Sequence, residues 1–304
     1  MIYSSFALLL SASLVASVEL VISPSCGTLY GTVGDLNSGL GSLSSYSTIV
    51  AFGDGYTDGG KQDGTTLDEA VQEDSLDPKA GGRMSNGPVW VEYLASDINA
   101  TIKDYAVTKS VVDDTQYPSF KSALDERDFL YQGNLVISST GKPDSDTTLF
   151  IIFHGMEDFL LADASSFPTT AGNILYELIK LADSPLYAKN ILVVDNYGRG
   201  NVTDEGEIFK QDLFDGLGSL TKLFTDVNVG FINFENLWTA ILGSDPGYEA
   251  FGYQSSGACT VNETTTVGQC SDPDTTFYYI PQYPSTVTHR LMADYVKAVF
   301  ETCV

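Results

Sequence analysis

Five short segments with the character of strands recur along the chain, the first and third of them apolar runs. Ser47-Thr48-Ile49-Val50-Ala51-Phe52 ends at Gly53 and reads as a buried strand. Ile102 to Val107 reads as a second strand, and Thr148 to Phe153 (TLFIIF) as a third. Asn190 to Val194 and Val227 to Phe234 supply a fourth and a fifth. The third run is apolar throughout, as parallel strands covered on both faces are. Helical spacing appears between the runs. PVWVEYLASDI, residues 88–98, places Val89, Tyr93 and Leu94 on one face, with Pro88 suited to a first helical position. Residues 170–183, 206–225 and 287–300 read as further helices. Strands alternating with helices predict a three-layer α/β/α sandwich around a mostly parallel five-stranded sheet. Residues 27–45 read as an irregular lead-in. Residues 54–77 form an acidic loop, whose spacing does not match an EF-hand calcium loop. With no repeat and no change of composition along the chain, one domain over residues 18–304 is expected.

Composition narrows the function. The 304 residues carry 15 Lys and Arg against 40 Asp and Glu, a net charge of −25. Such a chain is a poor partner for nucleic acid, whose binding needs cations to replace counterions. At 43% hydrophobic residues it has the material for a core. The only histidines are His154 and His289, which limits any mechanism that needs an imidazole.

Residues 5–17 (SFALLLSASLVAS) are apolar and end in small residues, so residues 1–17 are expected to be a secretory signal peptide cut after Ser17. Secretion agrees with four cysteines, Cys26, Cys259, Cys270 and Cys303, although four permit three pairings. Cys259 and Cys270 flank a polar loop that a disulfide would staple, which would leave Cys26 and Cys303 to tie the termini. No spacing suits zinc. Three sequons, at Asn99, Asn201 and Asn262, make glycosylation expected in a secreted chain.

Ligands of open α/β sheets bind beyond the carboxyl ends of the strands. Three such ends carry distinctive segments: FGDGYTDGG from Phe52, DYAVTKS from Asp104, and FHGMEDFL from Phe153. With RMSNGPVWVEYLA after the first and YYIPQYPSTVTHRLMADYV near the end, they resemble the GDSL or SGNH hydrolases over nearly the whole mature chain. Secreted fungal acetylesterases and lipase-like proteins among the carbohydrate esterases are the closest look-alikes. The corresponding family blocks are FGDSYTDTG, NYAVGGA, GxND and FWDxxHPTxxxHxxxA.

The resemblance implies a flavodoxin-like SGNH fold and acyl transfer by a serine that a His–Asp pair activates. It implies an oxyanion hole built from the serine N–H, a glycine N–H and an asparagine. No cofactor and no metal are expected. At the family's positions this chain has Gly55 for the nucleophile, Lys109 for the oxyanion glycine, Glu157 for the asparagine, Ile280 for the aspartate and Tyr283 for the histidine. Gly53, Asp54, Asp58, Gly155, Asp158 and Pro284 remain as scaffold. Lys109 and Glu157 are expected to pair across the former oxyanion hole, because an unpaired buried charge is costly. His154 and His289 are read as packed and structural, and Ser85 and Ser110 as lacking a base.

Three functions follow. The first is a secreted, monomeric pseudoenzyme that binds a glycan, a cell-wall polymer or an acylated ligand through Asp54, Tyr56, Lys109, Gly155, Glu157, Tyr279 and Tyr283. Trp90 and Tyr278 are further candidates for stacking on sugars. The second is a working ester hydrolase with a non-standard site, for which Asp54 and Glu157 offer a carboxylate pair. The third is a non-catalytic acidic surface protein with a filled cleft.

Overall fold

The computed structural model describes residues 18–119, 127–161 and 166–304. The expected signal peptide lies outside the described residues. The central sheet comprises β1 (Leu36–Ser38), β2 (Thr48–Gly53), β3 (Thr101–Asp104), β4 (Thr148–Phe153), β5 (Asn190–Asp195) and β6 (Asn228–Asn233). Their spatial order is β1-β6-β5-β4-β2-β3. All neighbours are parallel except β1, which runs antiparallel to β6.

The side-chain period of two explains why strands covered on both faces, such as β2 and β4, read as apolar runs. In β2, Ile49 and Ala51 face one core while Val50 and Phe52 face the other. In β4, Leu149, Ile151 and Phe153 join the first core, and Phe150 and Ile152 the second. Helices α1 (Trp90–Asp97), α6 (Glu235–Leu242) and α7 (Thr286–Thr302) cover the first face. Helices α2 (Phe129–Ser138), α4 (Phe167–Ala182) and α5 (Asp204–Leu223) cover the second. Among the described residues, no helix is long and apolar enough to cross a membrane.

The sheet has six strands, not the five expected. The extra strand, β1, falls in the stretch read as irregular. Its three residues carry no apolar run; tertiary contacts hold it instead. The Cys26–Cys303 disulfide ties the termini together, and the Asn37 N–H donates to the Cys303 carbonyl at 2.7 Å. Buried Asp35 accepts from the Asn233 N–H at 2.8 Å and from the Tyr295 hydroxyl at 2.6 Å.

The second strand is regular only from Thr101 to Asp104, although the chain stays beside β2 as far as Val107 through the Tyr105 and Val107 N–H groups, which donate to the Ala51 and Gly53 carbonyls; the Asp104 carboxylate accepts from the N–H groups of Gly59 and Ala106. The first helix begins at Trp90, two residues past Pro88. There Glu92 accepts from the Val89 N–H and forms a two-toothed pair with the fully buried Arg83. Helices α2, α3 (Met156–Leu161) and α6 have no counterpart in the sequence reading. Nor does a small second sheet of β7 (Ser255–Ala258), β8 (Thr276–Ile280) and β9 (Tyr283–Pro284).

After β2 the chain first builds β3 on one side and then β4 on the other. The carboxyl ends of β2 and β4, paired as far as Gly53 and Phe153, therefore form a topological switch point.

Candidate functional site

The segments leaving β2, β3, β4 and β5 converge above this switch point, and hydrogen bonds from buried carboxylates set their shape. Asp54 accepts from the Tyr56 N–H at 3.0 Å and closes the turn after β2. Asp58 accepts from the Gly60 N–H, the Gln62 amide, and both the N–H and hydroxyl of Thr108, tying the β2 segment to the β3 segment. Asp158 accepts from the Val112 N–H and the Tyr117 hydroxyl. Gln132 of α2 brackets Gly53, accepting from its N–H and donating to its carbonyl, both at 3.1 Å.

A cleft of about 490 Å³ opens over these turns. Lys109, Glu157, Arg199, Ile280, Gln282 and Tyr283 line it, with a rim that includes Leu160, Val261 and Asn262. Four of the five positions assigned by resemblance to the family's chemistry thus face one space. The fifth, Gly55, lies directly behind Tyr283: a Cβ on residue 55 would stand 2.7 Å from Tyr283 Cε1 and 3.3 Å from Thr108 Cγ2. The Tyr283 side chain is nearly buried and packs on Tyr56 at a ring distance of 5.9 Å.

Lys109 keeps the left-handed backbone that glycine favours, with φ +66°. It is not paired with Glu157, as the sequence had suggested. Its ammonium lies 3.0 Å from Glu263 in the loop that the Cys259–Cys270 disulfide closes. This backbone aims the side chain at the cleft rim, where both partners are substantially exposed, so the pair contributes little.

Arg199 supplies the positive charge beside Glu157 instead. Burial alone would lower its pKa, but Tyr56, Glu157 and Asp54 around it raise it. Burial raises the Glu157 carboxyl, against the opposing pull of Arg199, Lys109 and a hydrogen bond from Tyr283. Burial, then the Glu157 charge, hold Asp54 well above the usual carboxylate range, and its Oδ2 has no partner among the described residues. Tyr283 is pushed up by burial and by the charges of Glu157 and Asp54, so its phenol is no base at neutral pH. The sequence reading missed Arg199. Its signal was available, since it lies just past the end of β5, a fourth strand end.

The remaining candidates separate by burial. Tyr56 is enclosed beneath Tyr283, and its hydroxyl donates to the Gln282 carbonyl at 2.5 Å. Tyr279 is buried outside the cleft, its hydroxyl bonded to Gln72 and Gln269. Trp90 is a core residue, and the Tyr278 hydroxyl accepts from Trp238. Of the five aromatic rings considered for stacking on sugars, only Tyr283 lines the cleft. Asp54 and Gly155 are buried and do not line the cleft, and a Cβ on Gly155 would press on Phe209 at 2.8 Å.

Neither histidine reaches the cleft. His154 stacks on Phe129 at 4.8 Å, and its Nε2 lies 3.2 Å from Gln132 Oε1. His289 is fully buried, with both ring nitrogens unpartnered among the described residues. Burial pushes both imidazoles down to about 3. Ser110 is buried and bonded to Gln132 and the Arg127 carbonyl; Ser85 is buried and lines no part of the cleft. One acidic trio, Asp113, Asp114 and Asp128, could gather around a cation. It does not line the cleft, and two of its carboxylates already accept backbone N–H groups.

The GDSL-like lipase/acylhydrolase profile matches residues 49–296. This chain belongs to that family. This GDSL-like chain is also similar to solved structures. One is an active-site mutant of a family two carbohydrate esterase from Clostridium thermocellum, at 16% identity and TM-score 0.43, covering 83% of this chain and 62% of that one. Another is a carbohydrate esterase whose active site is described as having divergent catalytic and non-catalytic binding functions. It matches at 11% identity and TM-score 0.49, covering 86% of this chain and 70% of that one. The GDSL-like chain thus spans less than two thirds of the first of these proteins. No curated protein matches it.

Proposed function

We propose that this chain is a secreted glycoprotein of the GDSL-like family whose cleft binds a glycan or an acylated ligand without hydrolysing it. The observation that carries the reading is the Tyr283 ring, which stands where a nucleophile's side chain on residue 55 would begin. Without that side chain no acyl-enzyme forms, and an ionised Glu157 would oppose the negative charge that builds on a tetrahedral intermediate. Binding without turnover remains compatible with the cleft. Among the described residues, the backbone N–H of Lys109, a residue of the cleft lining, donates to no protein acceptor, so it is free to hold a carbonyl oxygen. A cleft of about 490 Å³ also counts against an acidic surface protein with no ligand site. Two disulfides accord with an oxidising compartment.

The test is hydrolysis of a small acetyl ester by the purified mature protein, with Glu157→Ala and a blank alongside. The expected result is no turnover above the blank from either protein. Turnover that changes in Glu157→Ala would overturn the reading. It would favour the working hydrolase instead, for which the adjacent Asp54 and Glu157 carboxyls, both raised by burial, supply the acid and base groups.

A further inference from the structure

We propose that an N-linked glycan on Asn262 lies across the mouth of the cleft and controls entry to it. This rests on the reading above only in requiring that the chain be secreted; it holds whether or not the cleft hydrolyses its ligand.

Asn262-Glu263-Thr264 is the one sequon of the three whose asparagine lines the cleft. Its side chain is presented for modification. Oδ1 accepts from the Thr264 N–H at 2.9 Å and from the Thr264 hydroxyl at 2.8 Å, while Nδ2 donates to no partner among the described residues. Transfer would join Nδ2 to the anomeric carbon of a lipid pyrophosphate-linked oligosaccharide. The anomeric C–O bond breaks, the lipid pyrophosphate leaves, and one amide proton goes with it.

The loop bearing Asn262 is fixed at several points, so the root of the glycan is fixed too. The Cys259–Cys270 disulfide closes it. The Thr260 N–H donates to the Tyr279 carbonyl at 2.8 Å. Thr266 reaches the acidic loop, with its N–H on the Leu76 carbonyl at 3.0 Å and its hydroxyl on the Ser75 carbonyl at 2.6 Å. A sugar leaving Asn262 starts over the cleft, with the apolar Val261 beside it and Leu160 of α3 also on the rim.

The other sequons provide contrast. Asn99 lies between α1 and the start of β3, at the end of the sheet opposite the cleft. Asn201 is exposed but outside the lining, and the hydroxyl of its Thr203 caps α5 by accepting from the Gly206 N–H at 3.1 Å.

The experiment uses the full chain secreted from a eukaryotic host. Peptide mass spectrometry reads occupancy at Asn262. Hydroxyl-radical footprinting then reads the accessibility of Leu160, with exposed Tyr30 as reference. Three samples are compared: the glycosylated protein, the same folded protein after enzymatic deglycosylation, and Asn262→Gln. Oxidation of Leu160 is expected to be several-fold lower in the glycosylated protein than in the other two, with Tyr30 unchanged, and Asn99→Gln should behave as the unsubstituted protein. An unmodified Asn262, or equal Leu160 oxidation before and after deglycosylation, would overturn the proposal. Deglycosylation of the folded protein keeps the test decisive if Asn262→Gln does not fold. Footprinting requires neither ligand nor turnover, so a positive ester assay would sink the non-hydrolytic reading without touching this one.

Discussion

Gly55→Ser should destabilise the protein by about 1–3 kcal/mol, the usual cost of forcing extra atoms into a packed site. The same substitution in a Tyr283→Ala background should cost less than about 1 kcal/mol. The reason is geometric. A Cβ on residue 55 would stand 2.7 Å from an atom of the Tyr283 ring, closer than real Cβ contacts come. That ring cannot simply swing aside, because it is 7% exposed and held against Tyr56. Tyr283→Ala alone should cost about 3 kcal/mol, the low end for deleting a buried aromatic ring, since water from the cleft can fill the space. Urea unfolding of the four proteins therefore forms a double-mutant cycle, with an expected coupling of about 1–2 kcal/mol. Additive effects would mean that Tyr283 does not occupy the side-chain space of residue 55. The cycle also bears on chemistry. Restoring serine alone should restore no esterase activity, because the ring that blocks it stands at the position assigned to the base.

The parts of the fold legible in the sequence were those whose burial leaves a local pattern. β2, β4, β5 and β6 are covered on both faces, so each appeared as a mainly apolar segment, most clearly in β4. β1 was not legible, because its three residues are held by a disulfide and by Asp35, contacts with residues nearly two hundred or more positions away. The site divides in the same way. Lys109, Glu157 and Tyr283 were found because they interrupt recognisable motifs. Arg199 interrupts no motif, and Glu263 lies in a loop whose position depends on the Cys259–Cys270 disulfide. The expected Lys109–Glu157 pair failed for a backbone reason: a lysine at φ +66° takes the chain path of a glycine but projects its side chain to the rim.

Raising the pH from 4.5 to 8 should cost the protein stability, and Asp195→Asn should remove a share of that loss on the order of 3 kcal/mol. Asp195 is fully buried at the end of β5. Burial, opposed by Lys210 and reinforced by Glu235, pushes its carboxyl up to about 7 from an ordinary 3.8. The folded chain thus holds a proton that the unfolded chain gives up near pH 4. The stability this provides is complete below that point and is lost as pH rises through about 7. Asp158 is also pushed up to about 7 by burial, and Asp54 and Asp104 are raised well above the ordinary value, all with the same sign. His154 and His289 act oppositely. Burial pushes them down to about 3, so their contribution is lost as pH falls below about 6.5. They offset part of the carboxyl effect at pH 4.5–6.5 and none of it above, where the net charge of −25 adds self-repulsion. Asp195→Asn isolates one group, since an asparagine oxygen can still accept from the Tyr197 N–H as Oδ1 does at 3.3 Å. Urea unfolding across the range should show the variant gaining on the unsubstituted protein as pH rises, then levelling off above about 7. Parallel curves would mean that Asp195 folds already ionised. A lead that levels off instead would mean that acids buried beneath the strand ends, the elements that carry the cleft, set the protein's upper pH limit.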